Sequence, residues 1–129
     1  MEEKKDYEVT LQAECCEGSR KHRFNIQYYI YEADGMFIAY CPALDITSTG
    51  EDFNDVVTQF YEHFQLYVEC CIEDNTLIQD LQNHGWKLDG VKLYQPTFGD
   101  MLMKQEFRHL MESDTEYERR NAVLQFNER

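Results

Sequence analysis

Hydrophobic positions along this chain repeat first every second residue and then at helical spacing. From Tyr7 to Cys15 the alternation is clean. Tyr7, Val9, Leu11, Ala13 and Cys15 share one face, and Glu8, Thr10, Gln12 and Glu14 share the other. Period two is that of a half-buried strand. Glu17-Gly18-Ser19-Arg20-Lys21 reads as a polar turn. A second strand is expected from Phe24 to Ala33, with Phe24, Ile26, Tyr28 and Ile30 on one face. Tyr29 and Tyr31 lie on its other face, which is therefore not purely polar and leaves room for a cover. Asp34-Gly35 between two apolar runs predicts a tight hairpin, because a type I′ turn needs positive φ at both central residues. Met36 to Cys41 is apolar on both faces, as a central strand would be. Pro42 ends it, since proline donates nothing to the ladder. Ile46 to Thr49 is a short fourth strand at an edge.

The period changes after Gly50. Asp52 is a good N-cap, and Asp55 adds negative charge at the positive end of a helix. Phe53, Val56, Val57, Phe60, Phe64, Tyr67, Val68 and Cys71 recur at helical spacing and form one apolar stripe. Asn54, Asp55, Thr58, Gln59, Glu62, His63 and Glu69 form the wet side of a helix over 53–72. Of the stripe, Phe53, Val57, Phe60, Phe64 and Tyr67 are expected to meet the sheet. Thr76-Leu77-Ile78-Gln79 reads as a capping box opening a short second helix, closed at His84-Gly85. Val91-Lys92-Leu93-Tyr94 is a further strand, ended by Pro96. Beyond it, Phe98, Leu102, Phe107, Leu110 and Met111 suggest one amphipathic helix. Ser113-x-x-Glu116 and Thr115-x-x-Glu118 offer a helical restart that takes in Tyr117, Val123, Leu124 and Phe126. The fold class read from this pattern is α+β: a small antiparallel sheet packed against one long helix. Residues 1–96 make an α+β domain with an extra N-terminal strand, and residues 97–129 a helical C-terminal extension.

Charge narrows the function. The 129 residues carry a formal net charge of −13, unevenly spread. Residues 1–23 are net −1, residues 24–96 net −10 and residues 97–129 net −2. The middle segment has only Lys87 and Lys92 as bases. Such a field repels phosphate, which argues against duplex DNA as a partner; Arg119-Arg120 is the one exception in the tail. The same field would draw in a basic protein and speed the encounter, or serve solubility alone. Arg20-Lys21-His22-Arg23 could touch phosphate or simply be a solvated hairpin turn.

Catalytic and metal chemistry find little support. The five cysteines, Cys15, Cys16, Cys41, Cys70 and Cys71, are odd in number and lack metal-ligand spacing. Cys41 and Cys71 fall on faces expected to be buried, where cysteine acts as a small hydrophobe. His22, His63, His84 and His109 form no local nucleophile signature and read as surface residues. Asp34, Asp45, Glu51, Asp52 and Asp55 cluster near turns, but Asp34 has a hairpin to make and Asp52 a helix to cap. No glycine-rich phosphate loop occurs. No catalytic set, metal or cofactor is expected. The charged start, Met1-Glu2-Glu3-Lys4-Lys5-Asp6, and the lack of a membrane-length apolar run predict a cytoplasmic chain.

Residues 28–86 resemble the HicB family of antitoxins from bacterial toxin–antitoxin pairs. The resemblance rests on paired strands at Tyr28–Glu32 and Met36–Cys41, and on the turn Cys41-Pro42-Ala43-Leu44-Asp45. It continues through Ser48-Thr49-Gly50-Glu51-Asp52 into a long helix ending near Tyr67-Val68-Glu69, and through Thr76-Leu77 to Gly85-Trp86. Order and spacing carry it over somewhat under half the chain. It implies a partial ribonuclease-H-like fold without the catalytic carboxylates, and a protein that neutralises a small basic RNA-cleaving toxin of the HicA type. It also implies a homo-oligomer, a dimer or a tetramer. Many such antitoxins end in a DNA-binding segment; the acidic tail here offers no recognition helix. An orphan interaction or oligomerisation module with no toxin is the alternative. The acidic loop and helix residues Asp45, Glu51, Asp52, Asp55 and Glu62 are the expected partner-binding set, since loops on a rigid scaffold are where binding residues sit.

Overall fold

A single long strand organises the molecule. The computed structural model describes residues 8–13, 20–89 and 92–128; the predicted ends of the first strand at Tyr7 and Cys15, the turn at 17–19 and Val91 lie outside them. The strands are β1 (Glu8–Ala13), β2 (Arg20–Ala33), β3 (Met36–Cys41), β4 (Ile46–Gly50), β5 (Lys87–Asp89), β6 (Lys92–Tyr94) and β7 (Tyr117–Glu128). The helices are α1 (Phe53–Glu73), α2 (Leu77–Asn83), α3 (Phe98–Met101) and α4 (Gln105–Glu112). All strand pairings are antiparallel. β7 pairs with β2 without a break, from Arg20↔Glu128 to Tyr31↔Tyr117. A strand has two edges, so β1, which pairs at residues 20–23, and β3, which pairs at 29–33, must share the other one. Two half-sheets result, β4-β3-β2-β7 and β5-β6-β1-β2-β7, with β2 and β7 common to both.

Local chemistry explains most of these elements. Asp34 and Gly35 have φ of 55° and 79°, as the predicted β2–β3 turn requires. The Asp52 side chain accepts the Asp55 backbone N–H at 2.8 Å, which fixes the start of α1. Gly85 has φ of 98° just after α2, where the chain turns back toward Trp86. The predicted box at Thr76 is absent: the Thr76 side chain makes no cap hydrogen bond, and Gln79 donates to Asn83 instead.

The helix and sheet meet as expected, with a shift of one position. Val56, Phe60, Phe64, Val68 and Cys71 are buried, while Phe53, Val57 and Tyr67 are half-buried at the margin. Tyr28 stacks on Phe60 at 4.1 Å, and Phe24 meets Phe64 edge-on at 5.4 Å. The approach is closest at Gly50, where a Cβ would fall 2.5 Å from the Val56 backbone nitrogen. The other face of β2 is covered too. Tyr29 is buried against Phe107 of α4, with ring centroids 5.2 Å apart.

The C-terminal extension corrects the sequence reading. Residues 98–112 form two helices rather than one, and Tyr117 to Glu128, read as a helical restart, is strand β7. Ser113, the expected cap, bonds instead to the Leu110 carbonyl and the Thr115 N–H. Partnering explains the exchange. A lone helix there would leave one whole edge of β2 unpaired, whereas a strand closes a twelve-residue ladder. β5 is a further strand that the pattern does not predict; it is three residues long and, among the described residues, pairs with β6 alone.

Phe60→Ala removes the centre of the aromatic stack and should cost on the order of 3–5 kcal/mol. Gly50→Ala forces backbone against backbone and should cost about 1–3 kcal/mol. Urea denaturation midpoints test both; an unchanged midpoint for either variant would contradict this packing.

Candidate partner-binding surface

The expected binding residues fall into three places. Glu51, Asp52 and Asp55 come together at the α1 N-terminus. Asp52 accepts the Asp55 N–H, and the Asp55 carboxylate accepts the Glu51 N–H at 2.9 Å. Asp52 and Asp55 therefore satisfy helix-end donors, which is a structural task, while the Glu51 side chain remains exposed. Glu62 is exposed two turns along α1. Asp45 lies at the opposite end of β4, roughly 16 Å away for a strand of five residues.

Asp45 is the surprise. It adopts φ of 56° at the end of the Cys41–Asp45 turn, a conformation aspartate tolerates better than most residues. Its carboxylate takes Lys104 Nζ and His84 Nδ1, both at 3.0 Å. His84 Nε2 lies 3.5 Å from Asp80, and Asp80 accepts the Tyr67 hydroxyl. A polar chain thus runs from the α3–α4 connection through the turn and the end of α2 to the middle of α1. Burial and Asp80 together push the Tyr67 hydroxyl far up, so it remains a donor.

The reason lies in the turn. Pro42, Ala43 and Leu44 are buried, and buried carbonyls need donors. Trp86 Nε1 donates to the Ala43 carbonyl at 2.8 Å, and Lys104 Nζ to the Pro42 carbonyl at 2.6 Å. Asp45 then holds both the lysine and the histidine in place. With two cationic or donor groups on it, Asp45 contributes less negative field than its sequence position suggests. His84, read as a surface residue, is a structural tie. Only the separate recurrence of Asp, His and Lys near turns hints at it, since the partners are 39 and 59 residues apart.

What remains unpaired is the outer side of α1. Phe24 to Trp86 contains no lysine or arginine. Glu62, Glu69, Glu73 and Asp74 are exposed along α1 and its end, and Glu51 continues them at the start. Among the described residues, none of these carboxylates has an ion pair; Gln65 donates a hydrogen bond to Glu69. His63, on the same helix, bonds Ser48 of β4 at 3.1 Å. No group of three or more metal-ligating side chains converges among the described residues, and no helix there is long and apolar enough to cross a membrane.

The buried Cys41 thiol beside the turn gives a test of its packing. Burial pushes it up to about 12 from an ordinary 9.0, against the pull of the Leu44 and Ala43 N–H groups. Between those values the unfolded chain loses a proton that the folded chain keeps, so stability falls as pH rises above about 9. Urea midpoints should decline as pH rises from about 9 toward about 12, and Cys41→Ala should make the decline shallower. An equally steep decline in that variant would show that the thiol is not the group responsible.

No protein-family model, curated protein or solved structure matches this chain.

Proposed function

We propose that the chain is a non-catalytic binding protein that captures a small basic protein on the acidic outer side of α1. The supporting observation is the run of exposed carboxylates from Glu51 through Glu62, Glu69 and Glu73 with no lysine or arginine among them. A one-signed surface on a rigid helix raises the on-rate for an oppositely charged partner and makes it salt-dependent. The HicB-like order of elements in residues 28–86 makes an RNA-cleaving toxin the partner class to seek, and its gene a neighbour of this one.

Glu62→Lys with Glu69→Lys is the clean variant, because neither residue caps α1 or holds the 41–45 turn. Co-expression with the basic product of a neighbouring gene should give a complex and relieve that product's toxicity. The double variant should slow association at low salt by about tenfold, with the difference shrinking as salt rises. Association as fast as that of the parent would reduce the acidic face to a solubility device.

A second reading, an orphan homo-oligomerisation module, is favoured by a different observation. Among the described residues β7 pairs on one edge only, with β2, over twelve residues containing no proline and no bulge. Such an edge can take another strand. Its described charged residues, Glu118, Arg119 and Arg120, are of both signs, so a second copy meets little like-charge barrier there despite the chain's −13. Val123, 47% exposed, lies near the strand centre. Sedimentation should give a dimer at micromolar concentration, and Val123→Lys a monomer of unchanged fold. A 15.5 kDa monomer for the parent would exclude this reading.

A further inference from the structure

The sheet face opposite α1 carries a buried hydroxyl. Tyr40 of β3 is the cross-strand partner of both Tyr29, which packs on α4, and Thr47, so all three share the α4 face. Tyr40 is only 5% exposed, and its Oη has no hydrogen-bond partner among the described residues. A buried polar atom in that state is destabilising, so its presence calls for a reason. A hollow of about 460 Å³ lies against it, lined by Tyr40, Asp45, Thr47, Lys104 and Glu106. That is the size of a small-molecule site. The hydroxyl is the end of Tyr40 that looks into the hollow. Burial, then the charges of Asp45 and Glu106, push it far up, and both of those carboxylates are walls of the hollow. It therefore stays a neutral donor and acceptor.

The other walls favour one kind of ligand. Lys104 Nζ is held by the Pro42 carbonyl and by Asp45 Oδ2, which also takes His84. Glu106 is exposed and has no ion pair among the described residues. Two carboxylates and one ammonium leave the hollow with one negative charge, that of Glu106. Its remaining polar atoms are mostly acceptors: Asp45 Oδ1, the Glu106 carboxylate, and the lone pairs of the Tyr40 and Thr47 hydroxyls.

We infer that this hollow binds a primary ammonium group, held by the Tyr40 hydroxyl, the Thr47 hydroxyl and the Glu106 carboxylate. An ammonium carries three donors and one positive charge, which matches three acceptors and one unpaired negative charge. Lys104 shows the same recognition next to the hollow, on a carbonyl and a carboxylate. A metal ion is a poorer match, because no three His, Cys, Asp or Glu side chains converge among the described residues. The site lies on the other face of the sheet from the α1 acids and does not rest on the function proposed above.

The probe is n-butylamine, titrated at neutral pH into the whole chain and followed by amide NMR shifts. It should bind with about millimolar Kd and move the amides of residues 40, 45, 47, 104 and 106. Tetramethylammonium, which has the charge but no N–H, and n-butanol, which lacks the charge, should each bind about tenfold more weakly. Tyr40→Phe and Glu106→Gln should each weaken butylamine about tenfold, whereas Glu112→Gln, on the same helix but outside the hollow, should leave it unchanged. Urea denaturation without amine gives a second readout. Removing an unpartnered buried hydroxyl should leave the Tyr40→Phe midpoint unchanged or higher. A lower midpoint would show that the hydroxyl already has a partner, such as a fixed water, and would overturn the site. Equal binding of butylamine and tetramethylammonium, shifts confined to α1, or no saturable shifts would overturn it as well. Blocked Gly-Lys-Gly separates the two sources of such a group: binding as tight as that of butylamine assigns a lysine of another chain, and weaker binding assigns a free amine.

Discussion

The backbone ladder between β2 and β7 is the constraint on which the rest depends. β2 is fourteen residues long, and β7 holds one of its edges from Arg20 to Tyr31. Only because that edge is taken do β1 and β3 share the other, at opposite ends of one strand. The middle of β2, residues 24–28, then has no strand on that side among the described residues. Its side chains are held from above instead: Phe24 by Phe64 and Trp86, Tyr28 by Phe60. Trp86 can reach there because its indole is bonded to Ala43 in the turn after β3. The turn, the end of α2 and the core are thus fixed by one another.

That arrangement also explains which parts of the fold the sequence makes legible. Wherever a segment's own residues specify its structure, the pattern is readable. Asp34-Gly35 dictates a hairpin with no help from elsewhere, and the stripe from Val56 to Cys71 dictates a buried helix face. β7 is different. Its glutamates, arginines, alanine, leucine and glutamine are good helix formers, and its apolar residues do not alternate cleanly. Its strand character comes from the vacant edge of β2, a hundred residues earlier, so no window of sequence contains it. β5 has no such pattern, because three residues are too few for a period to show. The Asp45–His84–Lys104 contacts have no local signature, because three separate loops bring them together.

The candidate site shows the same division. Glu62 was legible as exposed acid because helical period alone places it on the wet side. Asp52 and Asp55 were legible as acids but their work is local, closing the helix end. Asp45 is an exposed loop carboxylate, as its position suggests, and it is also the junction of a polar chain.

Topology finally sorts the charges. The long stretch without lysine or arginine folds into most of β2 and all of β3, β4, α1 and α2, and most of its acids lie on the turns and helices of that run. The basic residues at 20–23 and 119–120 lie on β2 and β7, paired strands on the other side of β3. The charge of −13 is therefore unevenly spread along the fold. α1 and β7 are not separate surfaces, because Arg120 of β7 lies over Phe53 at the start of α1. On the proposed function, a basic partner on the α1 acids would meet Arg120 at that end, so its approach is favoured toward Glu62, Glu69 and Glu73 and away from β7.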